Sequence, residues 1–234
     1  MRFYHYTKAR YALETLRTGH LKVATLKNLN DPFELLSLTF KTKEERGIQR
    51  KLKDFLERKV GLLCLSKSGR EPVMWSHYAD CHRGVVLAFD TGPEDIHEVT
   101  YRKTRKPHAL DLTQNTVAQL EPLLLETLTT KASSWSYEQE WRKLIFEKDW
   151  IVKQLPNGDG SGTVSAPFYD FQKDMKLVEV ILGPDCTTTP DAVKATLTAG
   201  GLSARVIKAR RAFRSFSVVQ DQTTKGGHPA PRSS

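Results

Sequence analysis

Gly61-Leu62-Leu63-Cys64-Leu65-Ser66 and Gly84-Val85-Val86-Leu87-Ala88-Phe89-Asp90 are two short apolar runs bounded by polar residues. Each suits a buried strand. Between them, after Pro72, residues Val73 to Asp80 leave room for about two helical turns. Working outward, Arg2-Phe3-Tyr4-His5-Tyr6 reads as a first strand, with Phe3 and His5 on one face and Tyr4 and Tyr6 on the other. Thr7 is the expected N-cap of a helix carrying Ala9, Ala12, Leu13 and Leu16, which Gly19 ends, and Leu21 to Ala24 follow as a second extended piece. Ile48, Leu52, Phe55 and Leu56 mark one face of a surface helix over residues 44 to 59. Residues 98 to 102 read as another strand. Residues 113 to 130 read as a helix that Pro122 breaks or restarts.

Glu140 to Phe146 is a strand, preceded by the turn-prone Ser133 to Ser136. Residues 156 to 167, rich in Gly, Pro and Ser, read as a flexible loop. Then come a strand from Leu177 to Leu182, the Gly183-Pro184 turn, a helix near Asp191 to Leu197 and a strand from Arg205 to Val219. Asp221 to Ser234 lack apolar periodicity and are expected to form a disordered basic tail after a single domain over residues 1 to 220. Many short strands, a few helices and no regular βαβ alternation predict an α+β fold with a mainly antiparallel, split or curved sheet. Neither G-x-G-x-x-G nor G-x-x-x-x-G-K-[ST] occurs, so doubly wound and P-loop nucleotide folds have no support.

The chain has 234 residues, 36 Lys and Arg against 27 Asp and Glu, and 39% hydrophobic residues. That composition excludes wholesale disorder, and the formal net charge of +9 favours a polyanionic partner without identifying one. No apolar stretch approaches a membrane span and the first residues lack a signal-peptide core, so a cytoplasmic protein with no membrane partner is expected. Cys64, Cys81 and Cys186 are too few and too scattered for a disulfide framework or structural zinc, and are expected to be buried thiols. Seven histidines include no H-x-x-x-H or H-E-x-x-H, so no metal is expected.

Four clusters mix polar groups with large aromatics, as a pocket for a planar charged ligand would: Tyr4 to Thr7, Asn30 to Glu34, Met74 to Tyr78 and Trp135 to Arg142. In the last, Glu138, Glu140 and Arg142 alternate along one strand face. That face is either the solvent side of an edge strand or a core side where the charges must satisfy one another. A strand histidine such as His5 is more often structural than catalytic, Tyr78 alone suits the core, and Asn30-Asp31-Pro32 suits an Asx turn.

In chain order, Tyr4-His5-Tyr6-Thr7, Leu29-Asn30-Asp31-Pro32-Phe33-Glu34, Cys64-Leu65-Ser66, Met74-Trp75-Ser76-His77-Tyr78-Ala79 with Gly84, and Trp135-Ser136-Tyr137-Glu138-Gln139-Glu140-Trp141-Arg142 resemble the bacterial DUF2971 family, over residues 2 to 219. That family is grouped with the ADP-ribosyltransferase-like fold, a split sheet holding NAD in a central cleft. The resemblance implies an ADP-ribosyltransferase or NAD glycohydrolase acting on a macromolecular acceptor, with no metal. It implies His5 on a ribose or the carboxamide region and Tyr78 or Ser66 beside the nicotinamide. Glu140 takes the ribose next to the scissile bond, with Glu138 as its paired glutamate. Tyr6, Thr7, Ser66, Trp75 and Arg142 complete the NAD-binding set, with Trp75 beside Tyr78 available to stack.

A carboxylate beside the ribose suits the oxocarbenium-like transition state of nicotinamide cleavage. The alternative is a non-catalytic module binding RNA or DNA through Arg102 to Lys106 and Lys208 to Arg214, where basic residues interleave with Phe213. A third reading is a phosphate-transferring relative acting on RNA ends. The oligomeric state has no signature in the sequence.

Overall fold

The computed structural model of the chain describes residues 1–40, 42–94, 96–107, 117–157 and 161–221. In chain order it runs β1 (Arg2–Thr7), α1 (Ala9–Thr18), β2 (His20–Lys22), β3 (Ala24–Thr25), β4 (Leu38–Thr39), α2 (Lys43–Lys59), β5 (Val60–Ser66), α3 (Pro72–Tyr78) and β6 (Val85–Thr91). Next come β7 (Ile96–Glu98), β8 (Thr100–Arg102), β9 (Lys106–Pro107), α4 (Val117–Leu128), β10 (Thr130–Ala132) and β11 (Glu140–Phe146). The chain ends with β12 (Ile151–Pro156), β13 (Thr163–Asp170), β14 (Met175–Leu182), α5 (Pro190–Ala199), β15 (Arg205–Arg211) and β16 (Val218–Gln220).

The expected α+β class holds. The main sheet has the order β16-β15-β14-β6-β1-β5-β11-β7, with β3 also on β5, and only β14 and β15 run parallel within it. β12, β13 and β2 form a separate small sheet. Strand β1 alternates as its sequence suggests. Phe3 is buried in the main core with Leu65, Leu87 and Phe89, whereas Tyr6 packs on the opposite side with Met74, Trp75 and Val86.

The feature that positions the site is a seam. β1 pairs with β6 through six residues and β5 pairs with β11 through seven, but β1 and β5 meet only at Tyr4 and Ser66. Where a ladder opens, the facing backbone groups need other partners. One is supplied by His5, whose Nδ1–H donates to the Cys64 carbonyl at 3.3 Å.

Several expectations are corrected. Lys8, not Thr7, is the N-cap of α1 and no side chain caps that helix; Thr7 is the last residue of β1, opposite Val85. Gly19 does close α1, with φ +73. In α2, Leu56 is buried but Phe55 is exposed, so the apolar face is narrower than the spacing implied. Helix α4 runs through Pro122, and buried Leu123 and Leu128 anchor its C-terminal half. Residues 163–167 belong to β13, paired with β12 from Ile151–Phe168 to Pro156–Thr163, and buried Ala166 and Phe168 outweigh the loop-like composition. The single strand expected from Arg205 to Val219 is two, β15 and β16, joined by a turn in which the Ala212 N–H donates to the Ser217 carbonyl.

Strand β11 lies between β5 and β7, so its charged face is not the solvent side of a sheet edge. Glu138 is not on it, because a short 3₁₀ turn over Ser133–Glu138 ends there and Gln139 intervenes. Among the three free cysteines Cys186 is buried, Cys64 half-buried and Cys81 exposed. The expected tail lies outside the described residues after Asp221, as do the first residues of the helix expected from 113. Among the described residues no helix is long and apolar enough to cross a membrane.

Candidate functional site

Beside the seam lies a cavity of about 250 Å³. Tyr4, His5 and Tyr6 form one wall, Cys64 to Ser66 another, and Asn28 to Asn30 close a third side. Tyr78, Lys131, Glu138, Glu140 and Glu34 supply its polar groups.

The cavity stands on a buried charge cluster. Arg142 is completely buried, and all five of its N–H donors are used. Nη1 and Nη2 bridge both oxygens of Glu34 at 3.0 and 2.6 Å, while Nε and Nη2 bridge both oxygens of Glu140 at 2.9 and 3.0 Å. The fifth N–H goes to the Leu128 carbonyl at 2.7 Å. Two carboxylates thus grip one planar fork, which lysine could not match. Lys131, also buried, donates to Glu138 Oε2 at 2.5 Å and Glu140 Oε2 at 3.2 Å, and lies 3.8 Å from Glu34. Among these five residues, carboxylates outnumber cations by one.

Local backbone geometry brings the acids together. Asp31 Oδ1 accepts the Phe33 N–H at 2.9 Å, the expected Asx turn. Buried Leu35 then adopts φ +63, a conformation leucine rarely takes, immediately after Glu34. Gln139 adopts φ +45 between Glu138 and Glu140, so both glutamates reach one cavity although they belong to different elements. Such strain persists only where surrounding contacts enforce it.

The two glutamates have opposite electrostatics. Burial pushes the Glu140 carboxyl up, but the Arg142 guanidinium and the Lys131 ammonium outweigh it and hold the group at about 2. For Glu138 burial prevails over Lys131 and the Tyr78 hydroxyl, and its pKa lies above the ordinary carboxylate value. Tyr78 donates to Glu138 Oε1 at 2.6 Å, and burial with that carboxylate raises the phenol. Burial also lowers the His5 pKa, so its ring is neutral near pH 7. With Nδ1–H given to Cys64, Nε2 is left as an acceptor.

His5, Tyr6, Ser66, Tyr78, Glu138 and Glu140, drawn from distant parts of the sequence, therefore line one cavity. Ser66 is committed to structure, since its hydroxyl donates to the Glu138 carbonyl at 2.6 Å and accepts the Ser68 N–H. Tyr6 donates to the Ser68 carbonyl at 2.8 Å. Thr7 and Trp75 are not part of the cavity wall. Trp75 is fully buried with Nε1 on the Gly69 carbonyl, so no face is open for stacking. Arg142 lies behind the wall, holding Glu34 and Glu140. Lys131 and the ionic role of Glu34 escaped the sequence reading. Glu34 sits in a segment whose turn chemistry stood out, whereas Lys131 carries no local signal at all. Among the described residues no group of three or more His, Cys, Asp or Glu could hold a metal ion.

No curated protein and no solved structure matches the chain. Residues 74–143, less than a third of its length, match the family model described as "Protein of unknown function (DUF2971)". That span carries Tyr78, Lys131, Glu138, Glu140 and Arg142, and its match supports the DUF2971 family for this chain.

Proposed function

We propose that the chain is an NAD-dependent ADP-ribosyltransferase or NAD glycohydrolase, with the nicotinamide–ribose end of NAD in the cavity at the seam. The observation that carries this proposal is the convergence of His5, Tyr78, Glu138 and Glu140 on one cavity. The donor set suits the substrate. An excess of carboxylates favours the cationic nicotinamide ring and opposes a pyrophosphate. A space of about 250 Å³, below the roughly 300–1,000 Å³ of most ligand pockets, suits a ring and a sugar. The remainder of NAD would lie outside.

Two neighbouring acids with separated pKa values suggest separate roles. Glu140, ionised throughout the physiological range, supplies fixed negative charge as the ribose becomes oxocarbenium-like. Glu138, whose pKa is raised, is the better proton acceptor. The C1′–N bond breaks with its electron pair leaving on nicotinamide, the acceptor's nucleophile or water bonds to C1′, and Glu138 takes the proton that nucleophile loses. Tyr78 orients Glu138, and His5 Nε2 accepts from a ribose hydroxyl.

Incubation of the full chain with nicotinamide-labelled NAD tests the proposal. The expected outcome is nicotinamide release that rises with pH as Glu138 ionises. Glu138→Gln should lower the rate at least about 100-fold while the protein stays folded. A folded wild-type protein that releases no nicotinamide, with or without protein and nucleic-acid acceptors, overturns it.

A further inference from the structure

A second concavity, of about 860 Å³, adjoins the first, and Tyr4 lines both. Its charged lining is Lys67, Arg70, Arg205, Arg210 and Arg214 against Glu179. Glu179 is engaged by Arg205 at 3.2 Å and by Arg2 at 3.8 Å. Among the described residues no carboxylate pairs with Arg70, Arg210 or Arg214, so three cations face the groove uncompensated, whereas the Lys67 ammonium lies 4.5 Å from the Phe3 ring centroid and reaches the Arg2 carbonyl.

The groove has a fixed frame. The segment from Lys67 to Arg70 lines it and is held at three backbone carbonyls. Tyr6 donates to Ser68, Trp75 to Gly69, and the Val218 N–H to Arg70, at 2.8, 2.9 and 2.9 Å. Beyond it the β15–β16 turn carries Phe213, 89% exposed, and Phe216, fully exposed. The Arg210 guanidinium lies 4.3 Å from the Phe213 ring centroid. Phe213 itself lines the groove.

We infer that this groove binds single-stranded nucleic acid. Cations along a concave track suit successive phosphates, and open aromatic faces suit stacked bases. A duplex hides its base faces from such rings, and a membrane surface is not met by a concave track. The inference is independent of NAD cleavage. Where both hold, the shared Tyr4 wall makes a bound strand the acceptor.

The test is fluorescence anisotropy of labelled 12-nucleotide RNA and DNA single strands with the full chain, beside the matching duplexes and phosphatidylserine vesicles. Single strands of one or both sugars should bind more tightly than duplex. If three phosphates are neutralised, affinity should fall about 20-fold between 50 and 200 mM salt. Phe213→Ser with Phe216→Ser should weaken binding at least about fivefold, the low end for losing one aromatic–base stack. Arg210→Ala with Arg214→Ala should weaken binding and flatten the salt slope. The equally charged control Lys51→Ala with Arg58→Ala, on exposed positions of α2, should do neither. Thermal melting confirms that each variant folds. No binding at 50 mM salt, groove variants no weaker than the control, duplex bound equally well, or vesicles bound in place of oligonucleotides each overturns the inference. Nicotinamide release is measured separately, so failure of the groove and failure of the NAD reading are distinguishable.

Discussion

The acidic cavity and the basic groove share Tyr4 as a wall yet treat charge in opposite ways. Around the cavity every charge is buried and bonded, with Arg142 using all its donors and Lys131 bridging Glu138 and Glu140. Around the groove Arg70, Arg210 and Arg214 lie outside any ion pair among the described residues, and two phenylalanines stand in solvent. Charge in the first region is part of what holds the fold. Charge in the second does little for folding and is free for a partner. The formal +9 of the chain sums over both and describes neither.

Arg142→Met should break the comparison most visibly. Removing one partner of a buried ion cluster leaves the others desolvated and unpaired, which typically costs about 3–5 kcal/mol. Here Glu34 and Glu140 would lose their bidentate partner and be left to Lys131 alone, which already serves Glu138. Chemical denaturation should show a loss of that order, with Arg142→Lys only partly restoring stability because it cannot rebuild the five-donor fork. A loss within about 0.5 kcal/mol, the usual range for a surface site, would mean the cluster is not what holds the seam.

Acid titration separates the regions next. Glu140 has a folded pKa of about 2 against an ordinary value of 4.5. Its contribution is therefore complete above the unfolded value and is lost as pH falls from about 4.5 towards 2. By linkage that amounts to something on the order of 3 kcal/mol. Glu138, shifted upward, works in the opposite sense and offsets part of the loss as it protonates. Denaturation midpoints between pH 6 and pH 2 should fall for wild type and fall less steeply for Glu140→Gln. An equal slope in both would detach the acid sensitivity from this carboxylate. The groove, lined mainly by arginines, should add little to that slope.

Much of the frame was legible because its signals are local. β5, β6, β11 and β14 announce themselves as apolar or alternating runs, and Gly19 marks the end of α1. The β12–β13 pairing was obscured because Gly, Pro and Ser dominate the composition of residues 156 to 167, while the partner of each β13 residue lies on another strand. The same limit governs the site. Glu138, Glu140 and Arg142 attract notice by lying close together in sequence. Lys131 appears in an unremarkable Thr129-Thr130-Lys131-Ala132, and only the fold sets it against Glu138, Glu140 and the distant Glu34. Nor could spacing show that Trp75 spends its ring in the core, since that depends on Gly69 and Tyr6 arriving from other elements.

Gly69→Ala tests the shared wall. A methyl there would sit 2.8 Å from Cδ1 and 3.0 Å from Cε1 of Tyr4, so the ring must move. The expected loss of stability is about 1 kcal/mol, the low end for overpacking, because Tyr4 is only half-buried. Both regions should respond, with oligonucleotide affinity and nicotinamide release changing together. A change in one alone would show that Tyr4 does not couple them.

Phe216→Ser should have the smallest effect on folding. A side chain that stays fully exposed gains nothing from the hydrophobic effect when the chain folds, so truncating it removes no buried area. The Ala212–Ser217 backbone bond across the turn does not depend on its ring. Denaturant unfolding should therefore place the variant within about 0.5 kcal/mol of wild type. Oligonucleotide affinity should fall even so, which is how a residue kept for a partner differs from one kept for the fold. If the variant instead loses more than about 1 kcal/mol, Phe216 is packed in solution, and the contrast between a self-satisfied cavity and an open groove weakens at that turn.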